Sequence, residues 1–210
     1  MSGVEEPSTT LSSAELARAL AVIKAGGVVA FPTETYYGLA VDPFNRQALS
    51  RLFALKRRPP DKPVLTLIDK EEQLSLLASH VPDLYRPLMR AFWPGPLTLV
   101  FDAVPALPVI LTGYTGTVGV RISSHPIARQ LVVAAGQPLT ATSANYSGQL
   151  PALTPDEVVD QLGLDVDLVL QGGSTVGGSG STIVGLAETG LVELRPGVIP
   201  FALVLEEAGL

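Results

Sequence analysis

The chain has 210 residues, a formal net charge of −6 and no cysteine. Apolar residues make up 47 % and charged residues 16 %, which excludes an intrinsically disordered chain. Missing thiols exclude a disulfide framework, a thiolate metal site and a cysteine nucleophile, and the acidic balance argues against a general nucleic-acid-binding surface.

The opening MSGVEEPSTT is polar and acidic and does not read as a signal peptide. Residues 1–10 are expected to form a flexible N-terminus ahead of one domain over 11–205. No apolar run approaches the roughly 18 residues of a spanning helix, so no membrane contact and a cytoplasmic location are expected. Ser12 and Glu15 form a capping-box pattern at the start of an amphipathic helix predicted over 12–25, which Gly26-Gly27 ends. Residues 28–31 suit a short buried strand and run into the polar loop PTETYYG, 32–38. A helix follows over 46–55. KRRPPDKP, 56–63, is held extended by its adjacent prolines. A strand over 64–68, helices over 70–79 and 83–92, and the rigid turn WPGP, 93–96, lead into a strand over 97–101.

Further strands are predicted over 117–122, 139–142, 166–170, 181–184 and 191–194, and helices over 125–135, stopped by Gly136, and from Thr154. There Thr154-Pro155-Asp156-Glu157 supplies a capping box and a proline at the first helical position. Alternating strands and helices predict an α/β fold, a twisted mixed β-sheet with flanking helices in one domain. No internal repeat and no interdomain linker is visible.

Four of the 14 basic residues fall between Lys56 and Lys62. GGSTVGGSGSTIV, 172–184, is glycine-rich but lacks the lysine of a P-loop. Polar segments adjoin predicted strand ends, where open α/β sheets form ligand crevices. Hydroxyls at Thr33, Thr35, Thr140, Thr142, Ser143, Ser181 and Thr182 suit phosphate or carboxylate oxygens, and Arg58, Lys62, Arg121 and Arg195 suit the matching charge. Together they describe a concave groove for a polyanion beside a small zwitterion. Each element also has a plainer reading: KRRPPDKP as a solvated loop, the hydroxyls as caps and turn formers, Arg121 as a buried ion-pair member. His125 reads as a turn residue at a helix start and Glu34 as a shaper of its loop rather than a Mg2+ ligand.

PTETYYGLA, KRRPPDKPV, WPGPLTLV, VGVRISSHP, TSANYSG, STIV and RPG, in this order, resemble the motifs of the YrdC/Sua5 family, the L-threonylcarbamoyladenylate synthases. The resemblance spans residues 11–197 and is to the short form, without the C-terminal Sua5 domain. It implies a YrdC-like fold and the formation of threonylcarbamoyl-AMP and pyrophosphate from L-threonine, bicarbonate and ATP. The product serves a downstream tRNA threonylcarbamoyl transferase complex that makes N6-threonylcarbamoyladenosine in tRNA. It further implies that Lys56 and Arg58 act in catalysis, with Lys56 lining the ATP groove. Arg58, Lys62, Thr117, Ser143, Asn145 and Arg195 would bind ATP, and Thr35, Arg121, Ala141 and Ser181 would bind L-threonine. Mg2+ would arrive largely with ATP. One departure is Leu67, where many members carry a histidine. The competing expectations are a carbamoyl-adenylate-forming paralogue and a double-stranded RNA or tRNA binding module without chemistry; a weak RNA contact at 56–62 is compatible with either.

Overall fold

The computed structural model describes residues 10–210, so the expected flexible segment 1–10 lies almost wholly outside the described residues. Helix α1, Ser13–Lys24, begins at the predicted capping box: Ser12 Oγ accepts from Glu15 N–H, and Glu15 Oε2 accepts from Ser12 N–H at 2.8 Å. Then follow β1 (Val29–Pro32), β2 (Tyr37–Ala40), α2 (Arg46–Lys56) and β3 (Thr66–Leu67). Next come α3 (Tyr85–Phe92), β4 (Leu97–Asp102), β5 (Thr117–Arg121) and α4 (Pro126–Ala135). The chain ends with β6 (Leu139–Thr140), β7 (Thr142–Ser143), α5 (Pro155–Leu162), β8 (Leu168–Val169), β9 (Thr182–Ala187), β10 (Gly190–Arg195) and α6 (Phe201–Glu207).

The expected mixed sheet is divided in two. A four-stranded sheet has the order β7-β2-β1-β8 and a six-stranded sheet the order β10-β9-β4-β5-β3-β6. Both mix parallel and antiparallel pairs; β1–β8, β3–β5 and β4–β9 are parallel. The expected strand over 139–142 breaks at Ala141, where the chain leaves one sheet and enters the other. Ala141 N–H donates to Leu65 O at 3.0 Å, while Thr140 Oγ1 donates to Leu39 O at 3.1 Å and accepts from Val41 N–H at 2.9 Å. One segment thereby stitches the sheets together.

Period-two alternation explains the layering. In β1, Ala30 faces a large apolar cluster shared with α2 and α3, while Val29 and Phe31 face a smaller one built on α1 and α4. In the six-stranded sheet, Leu97, Leu99 and Phe101 of β4 and Val118 and Val120 of β5 point into the large cluster. The opposite face of those strands is therefore free for Thr98, Thr117 and Arg121. Three elements depart from expectation. Residues 70–79 make only a 3-10 turn, Glu71–Leu76, without a side-chain cap, and β2 begins inside the stretch 32–38 read as a loop; α6 has no counterpart among the expected elements. Among the described residues no helix is long and apolar enough to cross a membrane.

Candidate active site

A cavity of about 620 Å³ lies against the open face of the six-stranded sheet and under the loop 33–38. Its floor follows the pleat: Thr98 and Val100 from β4, Thr117, Gly119 and Arg121 from β5, and Ser181 and Ile183 at the start of β9 all line it. Thr35 and Arg58 line it from the two loops, Ala141 and Ser143 from the seam between the sheets, and Arg195 from the end of β10. Thus Thr35, Arg58, Thr117, Arg121, Ala141, Ser143, Ser181 and Arg195, scattered over the sequence, share one hollow.

Each is held by an identifiable contact. Thr35 Oγ1 lies 3.1 Å from Thr33 Oγ1, which itself donates to Tyr36 O at 2.7 Å. Arg58 donates from Nε to Lys62 O at 3.1 Å and from Nη2 to Pro63 O at 2.8 Å; KRRPPDKP, expected to be held extended, instead turns where Lys62 N–H donates to Pro59 O at 3.1 Å and curls back around this guanidinium. Thr117 Oγ1 is 2.9 Å from Thr115 Oγ1. Arg195 Nη2 donates to Ser181 O at 2.7 Å and to Ser181 Oγ at 3.0 Å. That fold-back requires Gly197: a Cβ there would run into the backbone of 180–182, and Val198 N–H donates to Gly180 O at 3.0 Å.

Arg121 is 3 % exposed, and its Nη1 stands 3.2 Å from Glu34 Oε1, so it is a buried ion-pair member and a cavity residue at once. Glu34 Oε2 also accepts from Ser123 Oγ, which makes this carboxylate a counter-charge and loop anchor. Arg121 Nε has no acceptor among the described residues. Burial lowers the affinity of Arg121 for its proton, opposed by Glu34. Burial likewise lowers those of Arg58 and Arg195, with a neighbouring guanidinium as the second cause in each: Arg195 for Arg58, Arg121 for Arg195. The cations therefore sit close enough to repel one another. His125 caps α4, accepting at Nδ1 from Ile127 N–H at 3.3 Å, with its imidazolium disfavoured mainly by burial.

Three expected site residues stand elsewhere. Lys56 does not line the groove. It is 1 % exposed, and its Nζ donates to Ser143 O and, at 2.9 Å, to Asn145 O, beneath the loop that carries Ser143. Burial, and secondarily Arg58, brings its ammonium down to about 7. The physical reason is helical phase: Leu49, Leu52, Phe53 and Lys56 form one buried stripe of α2, which aims Lys56 inward. Asn145 is also turned inward, donating from Nδ2 to Tyr146 O and Gln149 O at 2.8 Å each. Lys62 is exposed next to the cavity residue Pro63. Leu67 is fully buried in the smaller cluster and does not line the cavity.

Other residues matter that sequence reasoning passed over. Tyr36 Oη donates to Gly178 O, Tyr37 Oη donates to Gly173 O at 2.9 Å, and Gly177 N–H donates to Thr35 O at 2.8 Å. They tie the glycine-rich stretch 172–180 across the loop 33–38, so that it walls the cavity through Ser179 and Gly180. Arg57, in a left-handed conformation at the end of α2, stacks over Tyr146 with 4.4 Å to the ring centroid and pins the loop after Ser143 from outside. Among the described residues no group of three or more His, Cys, Asp or Glu side chains is placed to hold a metal ion.

The profile of the Sua5/YciO/YrdC domain, described as telomere recombination, matches residues 21–197. The chain belongs to this family. A relative from Pyrococcus abyssi named threonylcarbamoyl-AMP synthase is 39 % identical over 178 residues, 85 % of this chain and 52 % of that protein. A Vibrio vulnificus protein of the same name is 40 % identical over 159 residues, 75 % of this chain and 86 % of its own length. The crystal structure of P. abyssi Sua5 complexed with L-threonine superposes with a TM-score of 0.91 at 36 % identity, over 95 % of this chain and 59 % of that one. This chain thus spans about half the length of its P. abyssi relative and most of the length of its Vibrio relative.

Proposed function

We propose that this member of the Sua5/YciO/YrdC family is an L-threonylcarbamoyladenylate synthase, joining L-threonine, bicarbonate and ATP into threonylcarbamoyl-AMP and pyrophosphate. The observation that carries the reading is the cavity charge. Arg58, Arg121 and Arg195 line one hollow of a chain whose net charge is −6, and the one carboxylate paired there is Glu34, on Arg121. Two guanidiniums are left without an anionic partner among the described residues, in a site lined by hydroxyls. A triphosphate beside an amino-acid carboxylate fits that surplus. Relatives named threonylcarbamoyl-AMP synthase, and a family structure described as holding L-threonine, support this choice of substrates.

The chemistry asks little of the protein beyond placement. The neutral threonine amine adds to CO2 with loss of a proton, or condenses with bicarbonate with loss of water, to give a carbamate; a carbamate oxygen attacks the α-phosphorus, and the bond to pyrophosphate breaks as it leaves. No covalent enzyme intermediate is needed, so positioning and electrostatic stabilisation of oxygen charge supply the rate. In this reading Arg58 and Arg195 spread the charge of the phosphates, and Arg121 meets the threonine carboxylate with the fork edge that Glu34 leaves open. Ser143 and Thr117 flank the nucleotide, and Thr35, Ala141 and Ser181 flank the amino acid. Lys56 and Asn145 hold the Ser143 loop in place. Mg2+ enters as part of the MgATP substrate, in keeping with the engagement of Glu34 elsewhere. The adenylate then passes to a tRNA threonylcarbamoyl transferase complex in the cytoplasm.

The test is pyrophosphate release by the purified chain. Release that requires ATP, L-threonine and bicarbonate together supports the reading. RNA affinity without turnover would favour a binding module, and turnover of carbamoyl phosphate in place of threonine would favour a carbamoyl-adenylate-forming paralogue.

A further inference from the structure

We infer that Thr98 is a positioning residue that fixes Ser181 as a hydrogen-bond donor toward a substrate oxygen. The inference rests on the reading of the cavity as an amino-acid site and concerns how that site is set. Thr98 belongs to WPGPLTLV, a motif to which the mechanism above gives no part. It sits on the cavity face of β4, and no surface of the residue is exposed; Ser181 opposite is 3 % exposed.

Thr98 Oγ1 and Ser181 Oγ lie 2.8 Å apart, and either hydroxyl can donate. Arg195 decides between them. Its Nη2 lies 3.0 Å from Ser181 Oγ and has no lone pair, so it only donates. If Ser181 gave its hydrogen to Thr98, the Thr98 hydrogen would stand in a fully buried position with no acceptor among the described residues, the costly kind of orphan. In the reverse arrangement Thr98 and Arg195 both donate to Ser181 Oγ. The two lone pairs of that oxygen are then filled, and its single hydrogen is left for the cavity. Packing holds Thr98 in this pose: a Cβ at Gly119 would come within 3.2 Å of Thr98 Cγ2, so the bare glycine provides the room for that methyl. Thr98 is also β-branched and stiff at χ1.

A serine wired this way offers a donor and no acceptor. It matches a carboxylate, carbamate or hydroxyl oxygen of the amino acid and rejects the ammonium form of its nitrogen. The site would thus favour threonine oriented oxygen-first on Ser181, with the amine directed away from it.

A double-mutant cycle tests this on the full chain, with Thr98→Val, Ser181→Ala and the pair, plus Thr98→Ser as rescue. Kinetic constants for L-threonine and ATP come from pyrophosphate release. Thr98→Val should lower kcat/KM for threonine about fivefold to tenfold with the KM for ATP unchanged, and Thr98→Ser should restore it. In the Ser181→Ala background the same change should cost less than about twofold. An equal loss in both backgrounds would mean that Thr98 acts through packing and overturns the inference, as does an unchanged threonine constant. Should Thr98→Val not fold, Thr98→Ala takes its place in the cycle. A wild-type chain that releases no pyrophosphate overturns the proposed activity instead, and the cycle then runs on threonine affinity by calorimetry. A wild-type chain that binds no threonine overturns the inference as well.

Discussion

Replacing Lys56 with methionine keeps the unbranched reach of the side chain and deletes its hydrogen-bond donors. Asn145 O loses its side-chain donor, and Ser143 O keeps only the N–H of Asn145, at 3.1 Å. A buried carbonyl left unpaired costs about 1–3 kcal/mol, offset in part by no longer burying an amine. The distinctive signature is in pH. The folded state brings Lys56 from 10.5 to about 7, and a neutral amine still carries the two hydrogens those two carbonyls need. Between pH 7 and 10.5 the unfolded chain binds the proton and the folded chain does not. The unfolded state then binds more protons, so stability rises with pH across that window and is lost as pH falls toward 7. At 1.36 kcal/mol per unit the full swing from this one group is about 5 kcal/mol. Urea unfolding of wild type and Lys56→Met at pH 7, 8, 9 and 10 isolates it, because every other titrating group is common to both chains. The difference between the two unfolding free energies should grow with pH by several kcal/mol. Parallel pH profiles would refute the argument and place the ammonium in a wetter setting than the geometry shows.

Arg58→Ala and Arg121→Ala should each lower kcat/KM by at least about tenfold, roughly 1.4 kcal/mol, the first mainly through ATP and the second mainly through threonine; steady-state kinetics varying one substrate at a time separates them. Glu34→Gln leaves the guanidinium of Arg121 buried without its counter-charge, and such a break costs about 3–5 kcal/mol, read as a fall in the urea midpoint at constant slope. Inorganic triphosphate should raise the thermal midpoint of the wild-type chain, and less so in Arg58→Ala. A millimolar anion at 100 times its Kd adds about 2.7 kcal/mol, and the shift should shrink as salt rises.

Helix starts and stops were legible because their signals are local. The Ser12–Glu15 box and the Gly136 stop, at φ 65°, lie where the sequence puts them. At Thr154 the reciprocal half slips by one residue, with Glu157 Oε2 accepting from Leu153 N–H rather than from the cap itself. Strands were less legible. β2 reads as loop because Gly38 interrupts it, yet Gly38 is there because Phe31, its partner in β1, holds its ring 3.3 Å or less from where a Cβ would be. The division into two sheets at Ala141 depends on pairing with Leu65 and Leu39, far away in sequence. For the site, the signal that places Thr98 was present in the alternation Leu97-Thr98-Leu99-Val100. The signal against Lys56 lay in the stripe Leu49, Leu52, Phe53, Lys56. Period decides which way a polar residue faces, and a residue list drawn from motifs alone passes over it.

The same periodicity explains how an acidic chain concentrates positive charge at one point. Arg121 reaches the cavity because it shares the β5 face with Thr117 and Gly119, while Val118 and Val120 anchor the strand in the core. Arg195 reaches it because Gly197 lets the chain turn back on Ser181, and Arg58 because its own loop carbonyls hold its guanidinium. Like charges held this close cost stability in the empty protein. Each is therefore tied to neutral carbonyls or hydroxyls, save Arg121 with its one carboxylate. A neutral tether fixes the direction of a guanidinium without cancelling its charge, whereas a carboxylate would do both. On the proposed reading, Arg58 and Arg195 are kept at full charge for the phosphates. The half-neutralised Arg121 suits the single charge of an amino-acid carboxylate, and the unneutralised pair suits the greater charge of a triphosphate.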